Sequence, residues 1–195
     1  MTEAQAPFVL AFGDSLTAGY GLAPAEAFPA RLEALLRRTH PQAVVQNAGV
    51  SGDTTRSGLA RLPRLLSGLK RRPDLAIVEL GANDMLRFVD PAAIRQNLDA
   101  ILESFGQCGI PVLLAGMIAP SLLGSVAARF NALYPELAAK HGAVLYPFFL
   151  AGAMGRADLT LRDGIHPSAR AIVIVAENIL PFVLEAVSPR VSAAG

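Results

Sequence analysis

An α/β domain with a parallel central sheet is what this sequence predicts, and three observations predict it. Short continuous apolar runs with β-branched residues recur along the chain, as strands covered on both faces require. Longer segments with apolar residues at helical spacing separate them. No internal repeat, low-complexity tract or linker divides the 195 residues, so one domain over residues 1–195 is expected.

The elements follow in chain order. Residues 8–12 (Phe-Val-Leu-Ala-Phe) read as a first buried strand. Residues 28–38 place Phe28, Leu32, Leu35 and Leu36 on one helical stripe. Residues 44–48 form a second strand and 75–80 a third. Asp90 as N-cap and Pro91 at the first helical position open a helix over 91–108. The fourth strand is 112–115, inside an apolar stretch over 111–117. A helix over 125–140 stops at His141-Gly142, a basic last turn followed by glycine. Residues 143–146 give a less strongly patterned fifth strand, and 168–187 a final apolar helix, expected to be interrupted at Pro181. In such sheets ligands sit outside the carboxyl ends of the strands, so the loops that follow them are the ones to read.

Composition removes several function classes. With 17 basic against 16 acidic side chains there is no basic excess, and no nucleic-acid partner is expected. Arg37-Arg38 and Lys70-Arg71-Arg72 end apolar helical patterns, where they suit the helix dipole. Cys108 is the sole cysteine, which rules out an internal disulfide and a cysteine-rich metal site; beside Gly109-Ile110-Pro111 it reads as a buried structural thiol. The uncharged stretch between Glu103 and Arg129 is broken by Gly109, Pro111, Gly116, Pro120 and Gly124, so no transmembrane segment is expected. Residues 1–7 lack the basic and apolar regions of a signal peptide. The expected location is therefore cytoplasmic, or periplasmic or secreted if an export signal has been removed.

Four loops bring polar residues into these apolar surroundings. Gly13-Asp14-Ser15-Leu16-Thr17 follows the first strand and exposes Ser15 at the sheet edge, although a helix N-cap explains a lone serine equally well. Asn47-Ala48-Gly49-Val50-Ser51-Gly52-Asp53-Thr54 follows the second; Gly49 and Gly52 allow close backbone approach, so an N–H can meet a developing anion. Asp53 or Thr54 equally caps the next helix. Gly81-Ala82-Asn83-Asp84 follows the third, and the Asn83 amide offers neutral donors to an oxyanion or simply makes a turn.

The fourth loop is Asp163-Gly164-Ile165-His166-Pro167. A serine nucleophile needs a base, and the base needs an acid on its other ring nitrogen. Of the three histidines, His40 and His141 end helices, whereas His166 has an aspartate three residues before it in a glycine turn. The chain has no G-x-S-x-G elbow, no phosphate loop and no metal-ligand histidine pair, and Gly19-Tyr20-Gly21-Leu22-Ala23-Pro24 fails the dinucleotide fingerprint.

Taken together, Gly13-Asp14-Ser15-Leu16, Gly52, Asn83 and Asp163-x-x-His166 resemble the SGNH (GDSL) hydrolase family over nearly the whole chain. Gly58-Leu59-Ala60-Arg61-Leu62-Pro63, residues 78–84 and Pro147-Phe148-Phe149 are similar to its bacterial thioesterase I, lysophospholipase and arylesterase branch. The resemblance implies a flavodoxin-like three-layer α/β/α sandwich with a mostly five-stranded parallel sheet. It implies a serine esterase for lipophilic acyl or aryl esters or thioesters, working through an acyl-enzyme on Ser15 without metal or other cofactor. It assigns His166 as base, Asp163 as its orienting acid, and the N–H groups of Ser15 and Gly52 with the Asn83 amide as oxyanion hole. Asp14 is expected to brace its loop. Where the branch often has a polar, asparagine-containing loop, this chain has Ser121-Leu122-Leu123-Gly124-Ser125, and Ser168 stands in place of a common asparagine. Ile118, Pro120, Leu122 and Leu123 are expected either to wall the acyl or aryl group or to pack on the neighbouring helix. A carbohydrate O-deacetylase is the alternative, disfavoured by the absence of tryptophan and the three tyrosines. A non-catalytic flavodoxin-like binding domain would require all four loops to be coincidental caps.

Overall fold

The computed structural model describes residues 6–188. Residues 1–5, part of the stretch read for a signal peptide, lie outside them. Five parallel strands form one sheet in the order β2-β1-β3-β4-β5: β1 (Phe8–Gly13), β2 (Val44–Gly49), β3 (Leu75–Glu79), β4 (Val112–Ala115) and β5 (Val144–Tyr146). Every residue of β1, β3 and β4 is buried, which explains why they lack polar alternation, whereas the edge strand β2 buries only Val45 and Ala48.

Helices cover both faces. The short α1 (Ser15–Ala18) and α2 (Phe28–Leu36) precede β2; α3 (Thr55–Ser67) lies between β2 and β3. The short α4 (Ala82–Leu86) and α5 (Pro91–Gln107) separate β3 from β4; α6 (Gly124–His141) precedes β5, and α7 (Ala169–Val187) follows it. α2 packs on α7, while α3 packs on α5 and α5 on α6. These two groups are the outer layers of an α/β/α sandwich, as right-handed crossovers require for this strand order. No helix among the described residues is long and apolar enough to cross a membrane.

Two expectations are corrected. Pro181 does not interrupt the last helix: α7 runs through it, with Ile179 and Val183 buried on either side. A proline removes one backbone donor, and the continuous buried stripe outweighs that loss. Cys108 is exposed, because it is the C-cap of α5, where the chain leaves the buried face.

The chain passes from β1 outward to β2 and then crosses back to β3 on the other side of β1. The carboxyl ends of β1 and β3 therefore flank a topological switch point, where side loops diverge and leave a crevice. Ser15 follows one of these strands and Asn83 the other.

Candidate active site

The turn carrying Ser15 is fixed from beneath by buried polar groups. Asp14 caps α1 by accepting the Leu16 N–H at 2.9 Å, and its other oxygen accepts the Asn83 side-chain amide at 2.9 Å. Glu79, at the end of β3, accepts the Thr17 hydroxyl at 2.7 Å and the Asp14 N–H at 3.3 Å through Oε2, while its Oε1 has no partner. A Cβ on Gly13 would collide with Thr17 and Glu79, so this close approach requires glycine. Burial pushes the Asp14 carboxyl up to about 6, partly offset by the Leu16 and Asn83 N–H groups. Burial, followed by repulsion from Asp14, pushes Glu79 well above its ordinary range. With N–H donors on Asp14 and none but a weak one on Glu79, the pair carries its negative charge on Asp14 and its proton on Glu79.

The second loop turns at residues 50–53, closed by the Asp53 N–H on the Val50 carbonyl at 3.1 Å, with Gly52 at φ 85. That left-handed position suits glycine and leaves the Gly52 N–H outward. Among the described residues neither this N–H nor that of Ser15 donates to a protein acceptor. Arg61 of α3 ties the two segments together. Its Nε donates to Asp53 at 2.5 Å, and its Nη2 donates to Gly13 O at 3.1 Å and Ala48 O at 2.9 Å. Its guanidinium lies 4.3 Å from the Phe12 ring centroid. Arg87 donates to Gly52 O at 3.1 Å from the opposite side.

Asn83 lies on α4, an element not anticipated from the sequence, rather than in a simple turn. Its neighbour Asp84 is buried and accepts both the N–H and the hydroxyl of Thr55, at 2.8 and 2.7 Å. The start of α3 and the start of α4 are thereby locked together next to Gly52 and Asn83.

The histidine loop is built differently. Asp163 accepts the Ile165 and His166 N–H groups through Oδ1 at 2.9 and 3.0 Å, and its Oδ2 lies 2.6 Å from His166 Nδ1. The backbone N–H groups of Ile165 and His166, then the imidazole, lower its carboxyl to about 2, so it is an acceptor at neutral pH. Nδ1 therefore bears the ring hydrogen, leaving Nε2 to accept from the Ser15 hydroxyl 3.0 Å away. His141, by contrast, pairs with Asp99, and His40 with Thr39.

A cavity of about 470 Å³ opens beside Ser15, Asn83 and His166, walled by Met85, Leu86, Met117, Ile118, Leu150 and Met154. Of the four apolar residues expected to border the acyl group, only Ile118 lines it. Pro120 and Leu122 point elsewhere, with Leu122 93% exposed, and Leu123 borders a neighbouring hollow of about 280 Å³. The 3-10 turn Ser121–Leu123 carries the chain away from the end of β4 and accounts for the difference. Among the described residues no group of three or more His, Cys, Asp or Glu is placed to hold a metal ion.

Sequence reading missed five contributors. Tyr20 covers the His166 ring at 4.4 Å between centroids, and the Met85–Leu86 and Leu150–Met154 segments form most of the pocket wall. Glu79 and Arg61 brace the turns. A charged residue ending an apolar strand was the available signal for Glu79, and the Gly58–Pro63 block for Arg61, yet neither pattern names its partners.

The chain has relatives among known proteins. The sequence pattern of the GDSL-like lipase/acylhydrolase family matches residues 11–171. The chain is 38% identical to the esterase TesA of Pseudomonas aeruginosa, covering 92% of this chain and 89% of that protein. It is 37% identical to thioesterase 1/protease 1/lysophospholipase L1 of Escherichia coli, covering 89% and 82%. The crystal structure of AlinE4, an SGNH-hydrolase family esterase, superposes with a TM-score of 0.79 at 46% identity, covering 95% of this chain and 98% of the other.

Proposed function

The chain belongs to the GDSL-like lipase/acylhydrolase family and is a serine esterase, and from that premise we propose that Ser15, His166 and Asp163 carry its reaction on lipophilic acyl or aryl esters and thioesters. The observation that carries the assignment is the chain of contacts from Ser15 Oγ to His166 Nε2 at 3.0 Å and from Nδ1 to Asp163 at 2.6 Å. Ser15 Oγ attacks the acyl carbonyl as its proton passes to His166 Nε2. The N–H groups of Ser15 and Gly52 and the Asn83 amide stabilise the oxyanion. Collapse expels the alcohol or thiol, which leaves with the proton from Nε2, and Ser15 is acylated. His166 then removes a proton from water, which attacks the acyl carbon; the second collapse releases the carboxylic acid and returns the proton to Oγ.

The oxyanion assignment rests on two unpartnered backbone donors and an amide held to Asp14, which fixes one of its two N–H bonds and leaves the other. The apolar walls favour acyl and aryl groups over sugars, which need stacking faces and polar partners. Ile118, Met117 and Met154 are assigned to the acyl or aryl side. A fluorophosphonate reaction followed by intact and peptide mass spectrometry tests the reading. One adduct on Ser15, absent from Ser15→Ala, is expected; labelling elsewhere with full esterase activity in the variant overturns it.

A further inference from the structure

Exposed large apolar side chains are unevenly distributed over this molecule. Among the described residues all but one lie on the loops and helix starts that follow the carboxyl ends of the strands; the exception, Val44, begins β2 at the other end. Each strand is followed by at least one, represented by Tyr20, Val50, Phe88, Leu122 and Ile165. Single exposed apolar residues need no explanation, but a ring of them contributed by five separate loops does. Phe88 is the clearest case: it is 83% exposed and stands at φ 54, a backbone conformation that a bulky residue adopts only at a cost. That conformation closes α4, with the Phe88 N–H on Met85 O at 3.1 Å and the Val89 N–H on Asp84 O at 3.0 Å, but it leaves the ring itself uncovered.

The ring is continuous with the catalytic mouth. Leu86, Ile118 and Ile165 border the cavity beside Ser15, while Phe88 and Val126 border the adjacent hollow, and Met85 lines both. The exposed charges around it are mostly cationic. Arg56, Arg87 and Arg162 project from these same loops or helix starts without a carboxylate partner among the described residues. Of the acids nearby, Asp14, Asp53 and Asp84 are buried, Asp90 pairs with Arg129 and Asp158 with Arg156, while Asp163 keeps its charge beside the imidazole of His166. Glu26 accepts the Ala23 N–H.

We propose that this face adsorbs to an anionic lipid surface, with the apolar ring entering the headgroup boundary and the arginines meeting lipid phosphates. The proposal rests on the esterase reading for its biological sense, since it delivers lipophilic esters to the mouth directly from the surface that holds them. Apolar area and cationic charge are the two contributions that drive such adsorption. A second copy of the chain fits the face poorly. Two-fold pairing would set unpaired arginines against their own copies, and it would close the mouth through which substrate must pass.

Co-sedimentation with sucrose-loaded vesicles tests this, using phosphatidylglycerol/phosphatidylcholine and pure phosphatidylcholine membranes, in parallel with hydrolysis of soluble p-nitrophenyl acetate. The protein should pellet with the anionic vesicles at least tenfold more strongly than with the neutral ones, and added salt should reduce the difference. Phe88→Ser/Val126→Ser should lower binding to anionic vesicles by about tenfold or more, through lost apolar burial, while turnover of the soluble ester stays within about twofold. Arg56→Gln/Arg162→Gln should remove most of the anionic preference. Absence of wild-type binding, or binding unchanged in Phe88→Ser/Val126→Ser, overturns the proposal. So does a concentration-dependent dimer by sedimentation velocity that the same variant abolishes, since the face then belongs to a second copy. Vesicle binding without any turnover of the soluble ester would leave this face standing and remove the esterase assignment instead.

Discussion

The two halves of the proposed catalytic apparatus are held in opposite ways. Ser15 stands on a turn whose supports are buried and remote in sequence: Glu79 on β3, Asn83 on α4 and Arg61 on α3. His166 stands on a surface loop held mainly by local hydrogen bonds to Asp163 three residues away, with the Tyr20 ring packed against its imidazole. Remote, buried supports couple a site to global stability, because losing one leaves an unsatisfied group in the interior. Local, exposed supports do not, since water replaces what is lost. The nucleophile half is therefore part of the fold, and the base half is an attachment to it.

Substitutions can break or sharpen that contrast. Ser15→Ala should reduce kcat by several orders of magnitude, on the order of 10⁵–10⁶, with an unchanged thermal midpoint, because only the hydroxyl is lost. Asp163→Asn should cost on the order of 10⁴ in kcat with only a small stability loss by urea titration, because Oδ1 still accepts both backbone N–H groups and water screens the lost charge. A strongly destabilised Asp163→Asn would mean that the base loop is as integral as the nucleophile turn, and the contrast would collapse.

Asn83→Ala should cost about 10²–10³ in kcat with little change in KM, the pattern of a donor used in the transition state. It also strips Asp14 of a buried partner, so a stability loss of about 1–3 kcal/mol should accompany it, larger than in Asp163→Asn. Arg61→Met should act chiefly on the fold. Asp53 and two carbonyls lose their shared donor, and urea titration should show about 2–4 kcal/mol of destabilisation.

The smallest effect is one of pH. Asp14 ionises near 6 in the folded protein against 3.8 for an ordinary aspartate. Its folded pKa is raised, so its favourable contribution is complete below about 3.8 and is lost as pH rises through about 6. Asp163 has the reverse sign: its carboxyl is lowered to about 2, so its contribution is present above 3.8 and lost as pH falls through about 2. Thermal midpoints measured from pH 4 to 7 should decline less in Asp14→Asn than in wild type. Equal declines would show that Asp14 carries no such burial strain.

Much of the site was legible because its polar residues interrupt apolar runs immediately after strands. Ser15, Gly52 and Asn83 announce themselves in this way and the Asp163–His166 pair by its spacing in the last loop, and the structure gathers them at the carboxyl edge of the sheet. Leu122 and Leu123 illustrate the opposite case. Their composition suits an acyl wall, but a single 3-10 turn directs them away from the cavity, and spacing alone could not reveal that turn.

The sequence by itself determined the five strands and the long helices α2, α5, α6 and α7, the loops that bear the chemistry and the pairing of His166 with Asp163. These follow from periodicity, capping and contacts a few residues apart, all properties of short segments. Only the tertiary structure decided which distant groups meet: that Glu79 lies under the nucleophile turn, that Arg61 joins the turns bearing Ser15 and Gly52, and that Met85 and Met154 wall the cavity. It also decided that exposed apolar side chains from five loops share the face that holds the cavity. Such meetings depend on strand order and crossover hand, which bring together residues tens of positions apart, and no local pattern records them.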